Sequence, residues 1–233
     1  MTKHLIITGG SKGIGKKTIA RFLENNWKVL NLSRTPCDFP NVTNVAIDLS
    51  KANSIHAHSA QLQSIVNDAS QLCLVHNAAY YTHNTILSQT IEELEQAFAV
   101  NIVAPSALNQ LFIPFMKPSS SIIYIGSTLS EMAVPGVASY IVAKHAMIGL
   151  MRATCQDLNG KFIHTVCVCP GLTDTEMLRA HMDQQTIDSF VTHKISAKRL
   201  VDPAEIAEVV YFCANSPVIN GSIIHANLGQ IAE

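Results

Sequence analysis

Charge is scarce in this 233-residue chain: Asp, Glu, Lys and Arg make up 14% of it, against 48% hydrophobic residues. That balance excludes a disordered chain, which buries too little apolar surface to offset its ordering entropy. An excess of one sign is missing as well. Sixteen basic and seventeen acidic residues leave a formal charge of -1, so the footprint of a protein that binds nucleic acid or an anionic membrane is absent. The ten histidines and six cysteines contain no His-x-x-x-His or Cys-x-x-Cys pair, and no metal is expected. No uninterrupted apolar run reaches membrane-spanning length. The first strand-like run starts at His4 with no leader before it, which makes a cytoplasmic protein the expectation. Repeats, low-complexity tracts and linkers are also lacking. One domain over residues 1–233 is therefore expected.

The cysteines (Cys37, Cys73, Cys155, Cys167, Cys169, Cys213) lie mostly inside apolar runs. They read as reduced, packed thiols rather than a disulfide framework. Cys167 and Cys169 alternate along a predicted strand and share one face.

What the chain does contain is alternation. HLIIT, WKVLNL, NVAID, LCLVH, SIIYIG, FIHTVCV and SIIHA read as strands, with helical spacing between most of them. Thr90-Ile91-Glu92-Glu93 has a capping-box pattern, and Asp202-Pro203-Ala204-Glu205 combines a cap, a first-turn proline and an early carboxylate; each predicts a helix start. Strands alternating with helices imply right-handed crossovers and a doubly wound parallel α/β sheet. The polar stretch 174–200 stands apart as a candidate flap over a substrate.

Residues 8–15 read TGGSKGIG, directly after the first strand and before a helix. Gly9, Gly13 and Gly15 allow a tight turn and close approach to a pyrophosphate, which then meets helix N-terminal amides. The spacing is Gly-x-x-x-Gly-x-Gly. A bare βα turn is the bland alternative. The second strand ends in Ser33 and Arg34, where an NAD site usually carries an acid. With Lys12 from the loop, these groups suit a 2′-phosphate and point to NADP(H), NAD(H) remaining possible.

In SYIVAKHAM (residues 139–147), Tyr140 and Lys144 sit one helical turn apart within an apolar run. One reading is a packed tyrosine and a snorkelling lysine; the other is chemistry. The ordered set TGGSKGIG, Asp48, Asn77-Ala78, Ser127, Tyr140-x-x-x-Lys144 and Pro170-Gly171 followed by Thr175 and Met177 resembles the short-chain dehydrogenase/reductase family. The resemblance extends to VDPAEIAEVVYFCA and NGSIIHANLG at the C-terminus, and so spans essentially the whole chain.

The resemblance implies a single-domain Rossmann-like fold with a seven-stranded parallel sheet, and hydride transfer between a nicotinamide and a small-molecule carbonyl or alcohol. It implies Tyr140 as general acid/base, Ser127 as hydrogen-bond donor to the substrate oxygen, Lys144 at the nicotinamide ribose, and Asn101 holding a relay water. The cofactor would meet Gly9, Ser11, Lys12, Gly13, Ile14, Gly15, Ser33, Arg34, Asp48, Leu49, Asn77, Ala78, Tyr140, Lys144, Pro170, Gly171, Thr173 and Thr175. It also implies a homodimer or homotetramer, the second side of the apolar helix 139–157 meeting another subunit. A non-catalytic NADP(H)-binding sensor is the competing reading. Departures include His76 and Ala79 around Asn77-Ala78, His164 and Val166 before Pro170, and Asn227-Leu228-Gly229 in place of an acid and two glycines.

Elementary chemistry supports these roles. A free tyrosine ionises near pH ~10, so base chemistry at neutrality needs about 4 kcal/mol of help. An ammonium one turn away is expected to supply much of it. Ser127 lacks a Ser-His-Asp context and suits an oxyanion donor. Pro105 removes the amide that would bond the carbonyl of residue 101, making a water site near Asn101 plausible. Tyr80, Tyr81, Met132, Val134 and the flap are expected around the substrate, with Pro135-Gly136 shaping the loop before Tyr140. Arg179, Lys194, Lys198 and Arg199 are candidates to meet an anionic substrate, or are simply solvated.

Overall fold

The computed structural model describes residues 2–230. Strands β1 (Lys3–Thr8), β2 (Lys28–Leu32), β3 (Val42–Val45), β4 (Gln71–His76), β5 (Ser121–Ile125), β6 (His164–Pro170) and β7 (Ser222–Ala226) form one sheet of order β3-β2-β1-β4-β5-β6-β7. Every pairing is parallel. The chain winds outward from β1 to β3, then returns to place β4 on the other side of β1. That reversal opens a crevice beyond the carboxyl ends of β1 and β4, where α/β sheets bind ligands.

The helices are α1 (Gly13–Leu23), α2 (Ala52–Ala57), α3 (Ser59–Val66), α4 (Ile91–Phe98), α5 (Ala104–Phe112), α6 (Ala138–Asp157), α7 (Glu176–His181), α8 (Gln184–Lys194) and α9 (Pro203–Ala214). They cover both sheet faces, so the central strands read as continuous apolar runs. Leu5 and Ile7 of β1 join Ile19, Phe22, Ile206 and Val210 under α1 and α9. Ile6 points the other way, to Leu108, Phe112, Met147 and Met151 of α5 and α6.

Both predicted helix starts form. The Thr90 side chain accepts from Glu93 N, and the Glu93 carboxylate accepts from Thr90 N. Asp202 and Glu205 reproduce the pattern at α9. The third strand differs: it spans Val42–Val45 rather than NVAID, because its one partner, β2, ends at Leu32 opposite Val45. Residues 46–48 continue as an irregular turn toward the crevice.

Between α4 and α5 the helix widens into a π turn, Ala99–Val103. The continuous helical stretch Ile91–Phe115 is 25 residues long with a mean hydropathy of 1.4 in its most apolar window. By length and composition this is enough to cross a membrane, although Asn101, Ser106, Asn109 and Gln110 interrupt it and no unbroken apolar run reaches that length. Its Leu108 and Phe112 are fully buried in the sheet-facing core, while 33% of the window is buried overall.

The stretch 174–200 is built as α7 and α8. Its base is closed by a bridge between Thr173 and Val201 and by Asp174 N donating to Val201 O at 2.9 Å. Ile187 and Ile195 are buried beneath it.

Candidate active site

The glycine loop is laced to the end of β4. Thr8 Oγ1 accepts from Asn77 N and Ala78 N at 3.0 Å each, and Asn77 Nδ2 donates to Thr8 O and Gly9 O, also at 3.0 Å. Side chains would break this lacing. A Cβ on Gly9, whose φ is 67°, would lie 3.0 Å from Ala78 Cα, and one on Gly15 would lie 2.6 Å from Asn77 Nδ2 and collide with Gly9 O. Lys12 is extended at the N-cap of α1 and supplies no side-chain cap, leaving first-turn amides for an anion. A bared helix start beside a backbone that a Cβ would fill fits a dinucleotide pyrophosphate.

At the end of β2, Ser33 Oγ donates to Thr35 O at 2.5 Å, so its hydroxyl proton is already engaged. Arg34 and Lys12 are exposed, and their side chains make no hydrogen bond or ion pair among the described residues. Asp48 Oδ1 accepts from Ser50 N and Oγ at 3.1 and 2.7 Å. These bonds, with Lys51 and Arg34 nearby, hold its carboxyl below the usual range.

Ser127 follows β5 and caps a short turn, accepting from Leu129 N at 3.1 Å. Tyr140 lies in the first turn of α6, partly buried at the cavity wall. Lys144 is buried to 1% exposure; its Nζ donates to Ile125 O at 2.6 Å and lies 5.5 Å from the Tyr140 ring centroid. Burial pushes the Tyr140 phenol up to about 12, opposed by the Ser127 hydroxyl, and pulls the Lys144 ammonium down to about 8. The direction for the phenol is opposite to the help expected from Lys144. The ammonium is turned to the Ile125 carbonyl, and desolvation is the largest influence on the phenol.

Asn101 is fully buried within the π turn. In such a turn carbonyls lose their usual i+4 donor; Asn101 Nδ2 donates to Ala97 O at 2.9 Å and also to Tyr80 O at 3.1 Å. Its Oδ1 is buried with no protein partner among the described residues. Pro105 thus marks a wider turn rather than a simple kink.

One cavity of about 800 Å³ runs along the crevice. Ser11, Lys12, Gly13, Ile14, Ser33, Arg34, Asp48, Leu49, Asn77, Ala78, Ser127, Tyr140, Lys144, Pro170, Gly171, Thr173 and Thr175 line it, with Gly9. Gly15 and Asn101 do not. Gly15 serves close packing of α1 on the loop, and Asn101 lies behind the wall. Met132, expected at the substrate, is also outside the lining, whereas His83, Gln96, His181, Met182 and Phe190 belong to it. Their ring and loop contacts join segments far apart in sequence, so no local signal marks them.

Asn84 has no sequence signature either. It donates from N to Gly136 O, accepts at O from Ala138 N and at Oδ1 from Ser139 N, and donates from Nδ2 to Ser139 Oγ and Glu93 Oε2, all within 2.7–3.1 Å. It thereby fixes the start of α6 and the direction in which Tyr140 projects.

The family described as Enoyl-(Acyl carrier protein) reductase matches residues 9–230. The 3-oxoacyl-(acyl-carrier-protein) reductase FabG of Vibrio cholerae is 27% identical over 241 residues, covering 98% of this chain and 97% of that protein. An uncharacterized oxidoreductase of Thermotoga maritima is 27% identical over 256 residues, covering 99% and 98%. Among solved structures, a 4-hydroxyisoleucine dehydrogenase mutant complexed with NADH and succinate superposes with TM-score 0.89 at 25% identity over 99% of both chains. The chain belongs to the short-chain dehydrogenase/reductase family. It is an NAD(P)-dependent oxidoreductase of that family, acting on CH–OH or C=O groups.

Proposed function

We propose that the protein reduces a small carbonyl compound, or oxidises the matching alcohol, with NADP(H) as cofactor and Tyr140 as general acid/base. The observation that carries this reading is the convergence of Ser127, Tyr140 and Lys144 on one cavity, beside a bared helix start. When bound, the cofactor supplies or takes up the hydride. Two hydroxyl donors facing one space suit a carbonyl oxygen better than a carbon–carbon double bond. Tyr140, held protonated by burial, donates its proton to that oxygen, and Ser127 donates a second hydrogen bond. Lys144 keeps a positive charge behind the phenol and binds the nicotinamide ribose. Asn101, through its unpaired Oδ1, orients a water that passes protons to Lys144.

Lys12, at the N-cap of α1, and Arg34, just past β2, support the choice of NADP(H), since neither side chain is bonded among the described residues and a 2′-phosphate would pair with them. Exposed Ile91, Val103 and Val142 on α4, the π turn and α6 support a homodimer or homotetramer through that side. The six cysteines are unpaired, which supports a reducing compartment such as the cytoplasm.

The test is NADPH oxidation with a panel of aldehydes and ketones, comparing the wild type with Tyr140→Phe. Turnover is expected to fall about 100-fold or more, the usual worth of a positioned acid, with NADPH binding unchanged. Equal rates for the two proteins would overturn the assignment.

A further inference from the structure

We propose that the substrate is an uncharged carbonyl compound with an aromatic group, seated against Tyr81 and His181, which determine specificity. This inference rests on the carbonyl-reductase reading and adds its substrate class.

Beyond Tyr140, away from the glycine loop, the cavity is walled by rings. Tyr81 stands edge-on to Tyr140 with centroids 4.9 Å apart and planes at 63°. His181 of α7 tilts over Tyr81 at 4.7 Å, and His83 approaches both rings at 5.4 and 5.5 Å. A bond of 2.9 Å between His83 Nε2 and His181 O ties the loop after β4 to the end of α7. Val134, Met177, Leu178 and Phe190 continue the wall. Partial burial holds the Tyr81 phenol above its ordinary range, while His83, His181 and Met177 are exposed to solvent. Edge-to-face rings offer a further ring the same favourable packing.

The cations of the neighbouring excursion are committed elsewhere. Arg179 grips Asp174 at 2.7 and 3.0 Å and reaches Gln184 at 3.0 Å. Arg199 grips Glu205 at 2.6 and 2.7 Å, and Lys198 donates to Thr192 O at 2.6 Å. These three lie outside the lining, as does Lys194. The lysines and arginines that do line the cavity are Lys12 and Arg34 at the dinucleotide end, and Lys144, which is bonded to Ile125 O. A carboxylate pressed against Tyr81 and Phe190 would give up part of its water with no lysine or arginine of the ring-lined wall to pair with it, which is costly. An aryl group loses nothing there.

The experiment uses the full chain with NADPH and three probes: acetophenone, benzoylformate (the same aryl ketone with a carboxylate) and cyclohexyl methyl ketone. Both kcat/KM and ligand binding by saturation-transfer NMR are measured. Acetophenone is expected to exceed benzoylformate by about tenfold or more, the scale of an unpaired charge in an apolar site. Tyr81→Leu and, separately, His181→Leu are expected to raise its KM and erase its advantage over cyclohexyl methyl ketone, with NADPH affinity unchanged. A preference for benzoylformate, an aryl advantage that survives both substitutions, or binding of none of the probes would overturn the inference. Selective acetophenone binding that depends on Tyr81, without NADPH oxidation, would support the ring wall while removing the carbonyl-reductase reading.

Discussion

The two ends of the cavity recognise their ligands by different physics. The dinucleotide end is made mostly of backbone, a glycine loop and the uncapped start of α1, with two exposed cations whose side chains make no hydrogen bond or ion pair among the described residues. The far end is made of side chains, with Tyr81, His83 and His181 packed ring against ring over Tyr140. Backbone amides read a phosphate whatever else is attached to it; a ring wall reads the shape and polarity of one side of one molecule. The first end therefore suits a shared cofactor, and the second is where members of one fold can differ. Lys144 sits at the junction, buried and bonded to a carbonyl.

The largest effect is expected at that junction. Lys144→Met should lower kcat/KM about 100-fold or more. It should leave the melting temperature level or raise it, because a buried cation contributes little stability of its own. A variant that simply unfolded would blur the contrast between chemistry and scaffold.

At the end of β4, against Asn109 of α5, His76 offers a different handle. It is buried with Nε2 2.8 Å from Asn109 Oδ1, and burial holds it neutral by lowering it from 6.5 to about 4. The unfolded chain takes up this proton as pH falls below the ordinary histidine range, while the native chain resists until about 4. Stability present above the ordinary range should thus be lost on acidification, by about 3 kcal/mol if the whole shift is expressed. Urea unfolding at neutral pH and near the lower value, on the wild type and His76→Asn, measures it; His76→Asn should show the weaker acid loss.

At the backbone-made end, Gly15→Ala would drive a methyl group into Asn77 Nδ2 and Gly9 O. NADPH affinity should drop roughly tenfold and stability by about 1–3 kcal/mol, the range for overpacking, as read by fluorescence titration and thermal melting. Arg34→Asp should act more narrowly. It should weaken NADPH about tenfold, the scale of one charge-assisted phosphate contact, while NADH changes little. Equal losses for both cofactors would remove Arg34 from the 2′-phosphate.

Much of this architecture was legible because it is local. Capping boxes, the glycine loop and the Tyr140-x-x-x-Lys144 spacing are each written within a few residues. Alternation implies a doubly wound parallel sheet but not its strand order, and the edge strand β3 stops where its partner stops, which alternation cannot show. Pro105 signalled a disturbance near Asn101, and its form as a π turn depended on Ala97 O and Tyr80 O. The departures from the family pattern also sort by geometry. Ala79 lies outside the left-handed region, so its methyl is accommodated, whereas Leu228 takes φ 55° where glycine is frequent. The ionisation of Tyr140 is not written in the Tyr140-x-x-x-Lys144 spacing, because it turns on burial and on where Lys144 points, both properties of the folded chain. The ring wall was hidden for the same reason: His181 and Tyr81 are a hundred positions apart in sequence and meet through the fold.

The central claim is that a protonated Tyr140, backed by a charged Lys144, delivers the proton during carbonyl reduction. Its most direct test is the pH profile of kcat/KM for NADPH-dependent reduction, in the wild type and in Lys144→Met. With Tyr140 near 12 and Lys144 near 8, the wild-type value should be level up to about pH 8 and fall above it, while the variant's low rate should show no step there. A reduction rate that climbs through neutrality, or a step near 8 that survives Lys144→Met, would contradict the account.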